Sequence, residues 1–450
     1  MLFYRQYFEN LKNMIANQEF SQRRHQLMSM MPNNSIAILS APPEKSRNRD
    51  VLYPYRQDSD FFYLTGFLEP EAVIILIPGR ESQQYFMFCR DRNTEREVWD
   101  GRRAGPEGAR LNYSADDAFP IEKIGEILPR LLEGRGKIYY SIGKNCSFDS
   151  FLTEQLEAKR GSAGSTSSPK DPFTNLDGLL HEMRLFKSIA EQQIMQKAAS
   201  ISARAHCRAM KKCIPGIYEY QLQAEIEYEF VMAGAASPAY STIVGGGVNG
   251  CILHYVENNS KLKDGDLVLI DAGCELQNYA ADITRTFPVN GKYTEEQKLI
   301  YDIVLEAQVA GIAACSSNKT WDQPHEISVK VITQGLLDLG ILKGELSELI
   351  ETKKYSDFYM HRAGHWLGMD VHDVGDYKVN EEWRLFQPGM VTTVEPGIYI
   401  SPDNINVDKR WRGIGIRIED DVLVTSNGPN VLSSDAPKTT QEIETFMASK

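Results

Sequence analysis

Residues 264–289 read DGDLVLIDAGCELQNYAADITRTFPV, and the rest of the chain is best read outward from them. Leu267 to Ile270 is a buried apolar run, Gly273 to Tyr279 contains a turn, and Ile283 to Phe287 alternates, so the segment predicts a β-hairpin. Asp271 and Asp282 then fall near facing points on paired strands, where two carboxylates can be presented to one point. Asp is also a common turn residue, and a capping Asp271 with an exposed Asp282 stays open for this segment alone. Acids set among Val, Ile and Gly need a counter-charge, because an ionised carboxylate buried without one is costly or neutralises itself.

The final third supplies further ligand types. In GIGIRIEDD, residues 413–421, a period of two places Ile414, Ile416 and Ile418 on one face and Gly413, Gly415, Arg417 and Glu419 on the other. Arg417 is suited to orient a neighbouring carboxylate, although a cross-strand ion pair on a solvent face fits the same pattern. VTTVEPGIYI, residues 391–400, puts Glu395 at the end of a β-branched run, immediately before Pro396-Gly397. Three of the chain's eight histidines, His361, His365 and His372, fall within FYMHRAGHWLGMDVHDVG, residues 358–375. Gly364 and Gly368 argue against a regular helix there, and no Glu follows His361, so this is not the helical zincin pattern. His254, in CILHYVE, is an isolated candidate. Asp271, Asp282, His365, Glu395 and Glu419 together suggest a carboxylate-rich two-metal hydrolase.

Composition fits an ordinary globular chain: 450 residues, 42% hydrophobic and 24% charged, enough for two domains. A net charge of -12 disfavours nucleic acid and anionic lipid as partners. The seven scattered cysteines include no C-x-x-C pair and suggest a reducing compartment. The N-terminus has no uninterrupted apolar core, and apolar runs such as Ala72 to Pro78 fall well short of the roughly 20 residues of a spanning helix. A cytoplasmic location is expected.

The clearest composition break is GSAGSTSSPKDPFTN, residues 161–175, read as an interdomain linker or surface loop. Before it, strand-like runs at Ile36–Leu39, Ala72–Ile77, Gln84–Phe88 and Lys137–Ser141 alternate with helical stretches such as Ile121–Leu132. After it, helices are expected over Leu176–Lys212, Tyr218–Met232, Glu295–Ala314 and Ile327–Leu342. The fold class is therefore α/β (α+β), with an N-terminal domain over residues 1–175 and a C-terminal one over 176–450.

Taken together, HYVEN, LVLIDAG, ADITRTFPV, HWLGMDVHDVG, VTTVEPGIYI and RGIGIRIEDD resemble, in order and spacing, the metallopeptidases of the pita-bread fold. With YPYRQDSDFFYLTGFLEPEAV in the N-terminal part, the whole chain is similar to the bacterial Xaa-Pro aminopeptidases, or aminopeptidases P. The resemblance implies a C-terminal pita-bread (creatinase/aminopeptidase) domain. Its metal ligands would be Asp271, Asp282, His365, Glu395 and Glu419, with Asp282 and Glu419 binding both of two divalent ions, expected to be Mn2+. It also implies substrate-surrounding roles for His254, His361 and His372, a supporting role for Arg417, and substrate-site positions at Tyr240, Asp50 and Trp99, the tryptophan reaching a neighbouring subunit's site in a homodimer or homotetramer. The activity implied is removal of the first residue from peptides with proline second, by a water bridging the two ions, with Glu395 moving its proton. Two departures stand out: Arg362 in HRAGH, where the family has a small or polar filling, and an N-terminal extension before Phe20. Prolidase, which prefers Xaa-Pro dipeptides, is the alternative enzyme. A non-catalytic pita-bread binding protein is the alternative of another class.

Overall fold

The computed structural model describes residues 14–162 and 173–449. Residues 1–13 of the N-terminal extension and residues 163–172 of the expected linker lie outside the described residues. The linker's ends are structured: Ser162 closes the helix Cys146–Ser162, and Phe173–Thr174 is a strand. The chain divides into two compact units, one within residues 10–183 and the other within 184–450.

The first unit is built on a six-stranded mixed sheet of β1 (Ser35–Ser40), β2 (Val73–Leu76), β3 (Tyr85–Cys89), β4 (Asp117–Pro120), β5 (Lys137–Tyr139) and β6 (Phe173–Thr174), in the order β4-β3-β2-β1-β5-β6. Ile36, Ile38, Val73, Ile75, Phe86 and Phe88 pack on Leu128, Leu131 and Leu152 from helices on the sheet, so apolar side chains at every second strand position form its core. Asp50 is exposed in the turn of a small hairpin formed by Ser46–Asn48 and Val51–Leu52. Trp99 lies on the helix Thr94–Asp100 with 85% of its surface exposed.

The second unit repeats one arrangement. Helices α1 (Ile189–Lys212) and α2 (Glu219–Met232) pack together and precede the antiparallel strands β7 (Ile243–Gly246), β8 (Leu267–Asp271) and β9 (Thr284–Pro288). Helices α3 (Glu295–Ala314) and α4 (Gln323–Asp338) likewise pack together and precede β10 (Val391–Val394), β11 (Gly397–Tyr399), β12 (Gly415–Arg417), β13 (Asp420–Thr425) and β14 (Gly428–Val431). β10, β13 and β14 form a second three-stranded antiparallel sheet, and β11 pairs with β12. Leu222, Ile226 and Phe230 form the buried stripe of α2.

The expected helix Leu176–Lys212 is broken. Asp177–Leu185 ends before Ser188, whose side chain accepts from the Glu191 N–H while Glu191 accepts from the Ser188 N–H, so a capping box starts α1 afresh. α4 begins four residues earlier than Ile327, because Pro324 occupies its first turn, where a missing N–H costs nothing. The hairpin of 264–289 forms with Asp271 opposite Thr284, but its middle leaves the sheet: Cys274–Leu276 turns at Gln277 and Asn278, with φ of 50° and 66°, into Tyr279–Ala280. The alternation expected over 283–287 is not a half-solvated one. Thr284, Arg285 and Thr286 are fully buried, because Arg285 pairs with buried Asp420 at 2.7 Å and the threonines serve the site.

Candidate metal centre

Each of the five expected ligands leaves an element end. Asp271 is the last residue of β8, Asp282 precedes β9, Glu395 lies between β10 and β11, Glu419 between β12 and β13, and His365 in the non-helical segment beside β10. Strand ends are where side chains converge without competing with ladder hydrogen bonds. β8 and β9 bring Asp271 and Asp282 together as the hairpin predicts. Glu419 joins them because its N–H donates to Thr284 O at 3.1 Å. Thr393 N–H donates to His365 O at 2.9 Å and Glu395 N–H to Ala363 O at 2.8 Å, so β10 carries the histidine segment alongside it. Gly364 permits that approach, since a Cβ there would lie 2.0 Å from Thr393 O.

One oxygen or nitrogen from each of Asp282, His365 and Glu419 lies within 4.8 Å of the others. His365 Nε2 is 3.4 Å from Asp282 Oδ2 and 3.5 Å from Glu395 Oε1. The Tyr240 hydroxyl lies 2.6 Å from Asp271 Oδ1 and 2.5 Å from Asp282 Oδ1. Arg417 donates through Nη2 to Asp271 Oδ2 at 2.5 Å, through Nη1 to Tyr399 Oη at 3.0 Å and through Nε to Thr284 Oγ1 at 3.1 Å. The Thr284 hydroxyl in turn donates a hydrogen bond to Glu419 Oε2 at 2.7 Å. All five ligands are thus joined directly or through Tyr240, Thr284 and Arg417.

This arrangement is short of positive charge. One hydroxyl proton cannot satisfy both aspartates facing Tyr240. Burial, then the neighbouring carboxylates of Asp282, Glu395 and Asp271, push Glu419 well above the usual carboxylate range. Burial also raises Glu395 to about 7, with His365 opposing and Asp282 adding to the rise. Burial would lower His365, but its hydrogen bond to Asp282 and the charges of Glu395 and Asp282 outweigh that and raise it to about 9. Four acids around one imidazole, three of them in oxygen-rich buried positions, is a donor set that fits hard or borderline divalent cations. His365 Nδ1 is 2.9 Å from Trp366 O, which fixes the proton on Nδ1 and leaves Nε2 as the ligand atom.

The remaining candidates divide by position. The ring of His372 packs 4.3 Å from that of His365 and is exposed on its other side. His254 is exposed, just after the short turn Gly247–Cys251. His361 lies 3.8 Å from Glu395 Oε2, with Nδ1 2.8 Å from Arg362 O and Nε2 2.9 Å from Tyr399 Oη. Burial, then the charge of Arg417, lower it to about 3. Arg417 is buried against Asp271 and not on a solvent face. Asp50 and Trp99 belong to the first unit. Tyr399, Thr284 and Thr393 were not singled out from the sequence. For Tyr399 the signal was there: it follows Glu395 and Gly397 at a period of two, and a Cβ on Gly397 would lie 2.5 Å from its hydroxyl.

Comparison with known proteins identifies the family. The model of metallopeptidase family M24 matches residues 193–426, and that of the aminopeptidase P N-terminal domain matches residues 20–139. The chain is 46% identical to the Xaa-Pro aminopeptidase of Escherichia coli K12 over 96% of its own length and 98% of that protein's. It is 37% identical to the mitochondrial intermediate cleaving peptidase 55 of Arabidopsis thaliana, over 96% of its length and 83% of that protein's. The solved structure of Pseudomonas aeruginosa aminopeptidase PepP superposes with a TM-score of 0.95 at 57% identity, covering 97% of this chain and 98% of that one. The family match over residues 193–426 and the likeness to these proteins over nearly the whole length place the chain in metallopeptidase family M24, with the N-terminal domain of the aminopeptidases P.

Proposed function

We propose that this protein is an Xaa-Pro aminopeptidase, a hydrolase that removes the first residue of peptides whose second residue is proline. The observation that carries the reading is the joining of Asp271, Asp282, His365, Glu395 and Glu419 into one buried cluster, in a chain collinear with proteins named for that activity. Two divalent cations, which we assign as Mn2+, would be held by these five residues and would supply Lewis acidity toward the attacking water and the scissile carbonyl.

The chain's own groups account for the rest. Glu395, held by Thr393 Oγ1 at 3.3 Å, takes the proton of the attacking water as the new C–O bond forms. It returns that proton to the proline nitrogen as the C–N bond breaks. His254 or His372 polarises the scissile carbonyl, and His361 and His372 hold the carbonyl after proline, His361 once its Nε2 exchanges Tyr399 for substrate. Arg417 and Tyr240 orient Asp271, and Tyr240 borders the bound peptide. Asp50 and the exposed Trp99 are assigned to substrate contact, Trp99 toward a neighbouring copy in a homodimer or homotetramer. Among the described residues no helix is long and apolar enough to cross a membrane. With scattered cysteines that suit a reducing compartment we assign a cytoplasmic enzyme with peptide substrates, and the net charge of -12 argues against a nucleic-acid or membrane partner.

The test is turnover of an Xaa-Pro-Yaa tripeptide against the matching Xaa-Pro dipeptide by protein stripped of metal and reloaded with manganese. Faster tripeptide cleavage is expected. Preference for the dipeptide reassigns the enzyme as a prolidase, and no metal-dependent cleavage of either overturns the reading.

A further inference from the structure

Arg362 is the residue at which HRAGH departs from expectation, and its side chain is held from three sides. The guanidinium pairs with Asp322, just before α4, and lies 4.9 Å from the ring centre of Trp321 and 5.0 Å from that of Trp383. Those two indoles are themselves 5.6 Å apart, and Lys378 Nζ sits 4.5 Å over the ring of Trp383. The platform is anchored: Trp321 N–H donates to Arg384 O at 2.8 Å, and Trp321 packs on Tyr377 and buried Trp366. Cation–π contact on two faces together with a carboxylate partner fixes a long side chain that would otherwise sample many rotamers.

The main chain of the same residue holds His361. A carbonyl oxygen only accepts, so Arg362 O, 2.8 Å from His361 Nδ1, requires the proton on that nitrogen, which also lies 3.8 Å from Glu395 Oε2, and leaves Nε2 facing the Tyr399 hydroxyl. Just after Arg362 the backbone is tied: Ala363 O accepts from Glu395 N–H, and Gly364 lies against Thr393 O. The orientation of the Arg362 carbonyl therefore depends on where its side chain is clamped.

We infer that Arg362 is a positioning residue for His361: the clamp by Trp321, Trp383 and Asp322 sets the carbonyl that fixes the imidazole's tautomer and aim. The inference rests on the peptidase reading of the site. It predicts that Arg362→Ala lowers kcat on an Xaa-Pro-Yaa substrate about tenfold to a hundredfold, the scale expected when a substrate-facing group is misplaced by about 1 Å, while bound metal stays at the wild-type level. Arg362→Lys, which keeps the charge for Asp322 and the indoles, restores most of the loss. In a His361→Ala background, Arg362→Ala costs nothing further.

Asp322→Asn provides a milder variant that keeps Arg362 on the indoles. It is expected to lower kcat severalfold, and that loss too vanishes when His361 is alanine. In metal-free protein with 15N-labelled histidine, Arg362→Ala should shift the His361 nitrogen signals toward a mixture of tautomers. Wild-type kcat in Arg362→Ala, or losses that multiply in the double variant with His361→Ala, would overturn the inference. Wild-type protein inactive on every Xaa-Pro substrate would instead overturn the peptidase reading.

Discussion

Arg417 Nη2 stands 2.5 Å from Asp271 Oδ2 with both side chains withdrawn from solvent, so the carboxylate's orientation is set before any cation arrives. The same guanidinium holds Tyr399 and Thr284, and through Thr284 it reaches Glu419. Arg417→Ala is expected to weaken metal binding about tenfold to a hundredfold, as loss of a group that orients ligands does. Arg417→Lys should recover little, because one ammonium cannot reproduce the three directed bonds. Metal titration by calorimetry decides it; wild-type affinity in either variant would rule out the orienting role.

Tyr240 offers a separate test. Its hydroxyl is shared between Asp271 and Asp282, so Tyr240→Phe removes a bond that matters most when no cation neutralises the pair. The metal-free variant should lose about 1–3 kcal/mol of stability, and the metal-loaded variant less. Equal losses in urea melts of both forms would contradict this account.

His372 packs on His365 but is exposed beyond it, so it has a free side to turn to substrate. His372→Ala is expected to retain metal, checked by elemental analysis, and to lose most turnover. Unchanged turnover would exclude the carbonyl-holding role.

Gly364→Ala addresses the seam between β10 and the histidine segment. Its Cβ would sit 2.0 Å from Thr393 O and 2.9 Å from Thr393 C, so the backbone that carries His365 must move. Overpacking of this kind costs about 1–3 kcal/mol, and metal content should fall with it. A fully metallated variant of wild-type melting temperature would show that the seam can yield.

A pH effect arises behind the hairpin that carries Asp271 and Asp282. His206 is fully buried on α1 with Nε2 3.0 Å from Ala272 O, and burial lowers its pKa from 6.5 to about 4. The unfolded chain therefore takes up this proton at a higher pH than the folded one. Stability from the neutral ring is complete above 6.5 and is lost as pH falls toward 4, at roughly 1.4 kcal/mol per unit. Urea midpoints measured across that range should fall more steeply in the wild type than in His206→Gln; parallel curves would refute the assignment.

Much of the site was legible because each ligand sits in a short motif whose local pattern already implies a strand end. Asp271 after LVLI and Glu395 before Pro-Gly are examples, and the glycines at 364 and 397 mark close approaches. Less legible were partners joined only by tertiary folding. Thr284 gives no sequence sign that its hydroxyl will link Arg417 to Glu419, and Arg285 gives none that it will be sealed in against Asp420. The break between Leu185 and Ile189 escaped a periodicity argument because apolar residues continue through it. Only the Ser188–Glu191 capping box marks it, and such a pair is easily overlooked inside a helical pattern.

The repeated arrangement of the second unit, a helix pair followed by an antiparallel sheet, divides the ligands between its halves: Asp271 and Asp282 come from the first, His365, Glu395 and Glu419 from the second. Neither half holds a complete site, so the cation behaves as a suture between two stretches of chain made at different times. During synthesis the first half emerges with its aspartates uncompensated, and tight metal capture has to wait until Glu419, near the end of the chain, has been delivered. Occupancy by metal thus reports that both halves have been made and correctly joined.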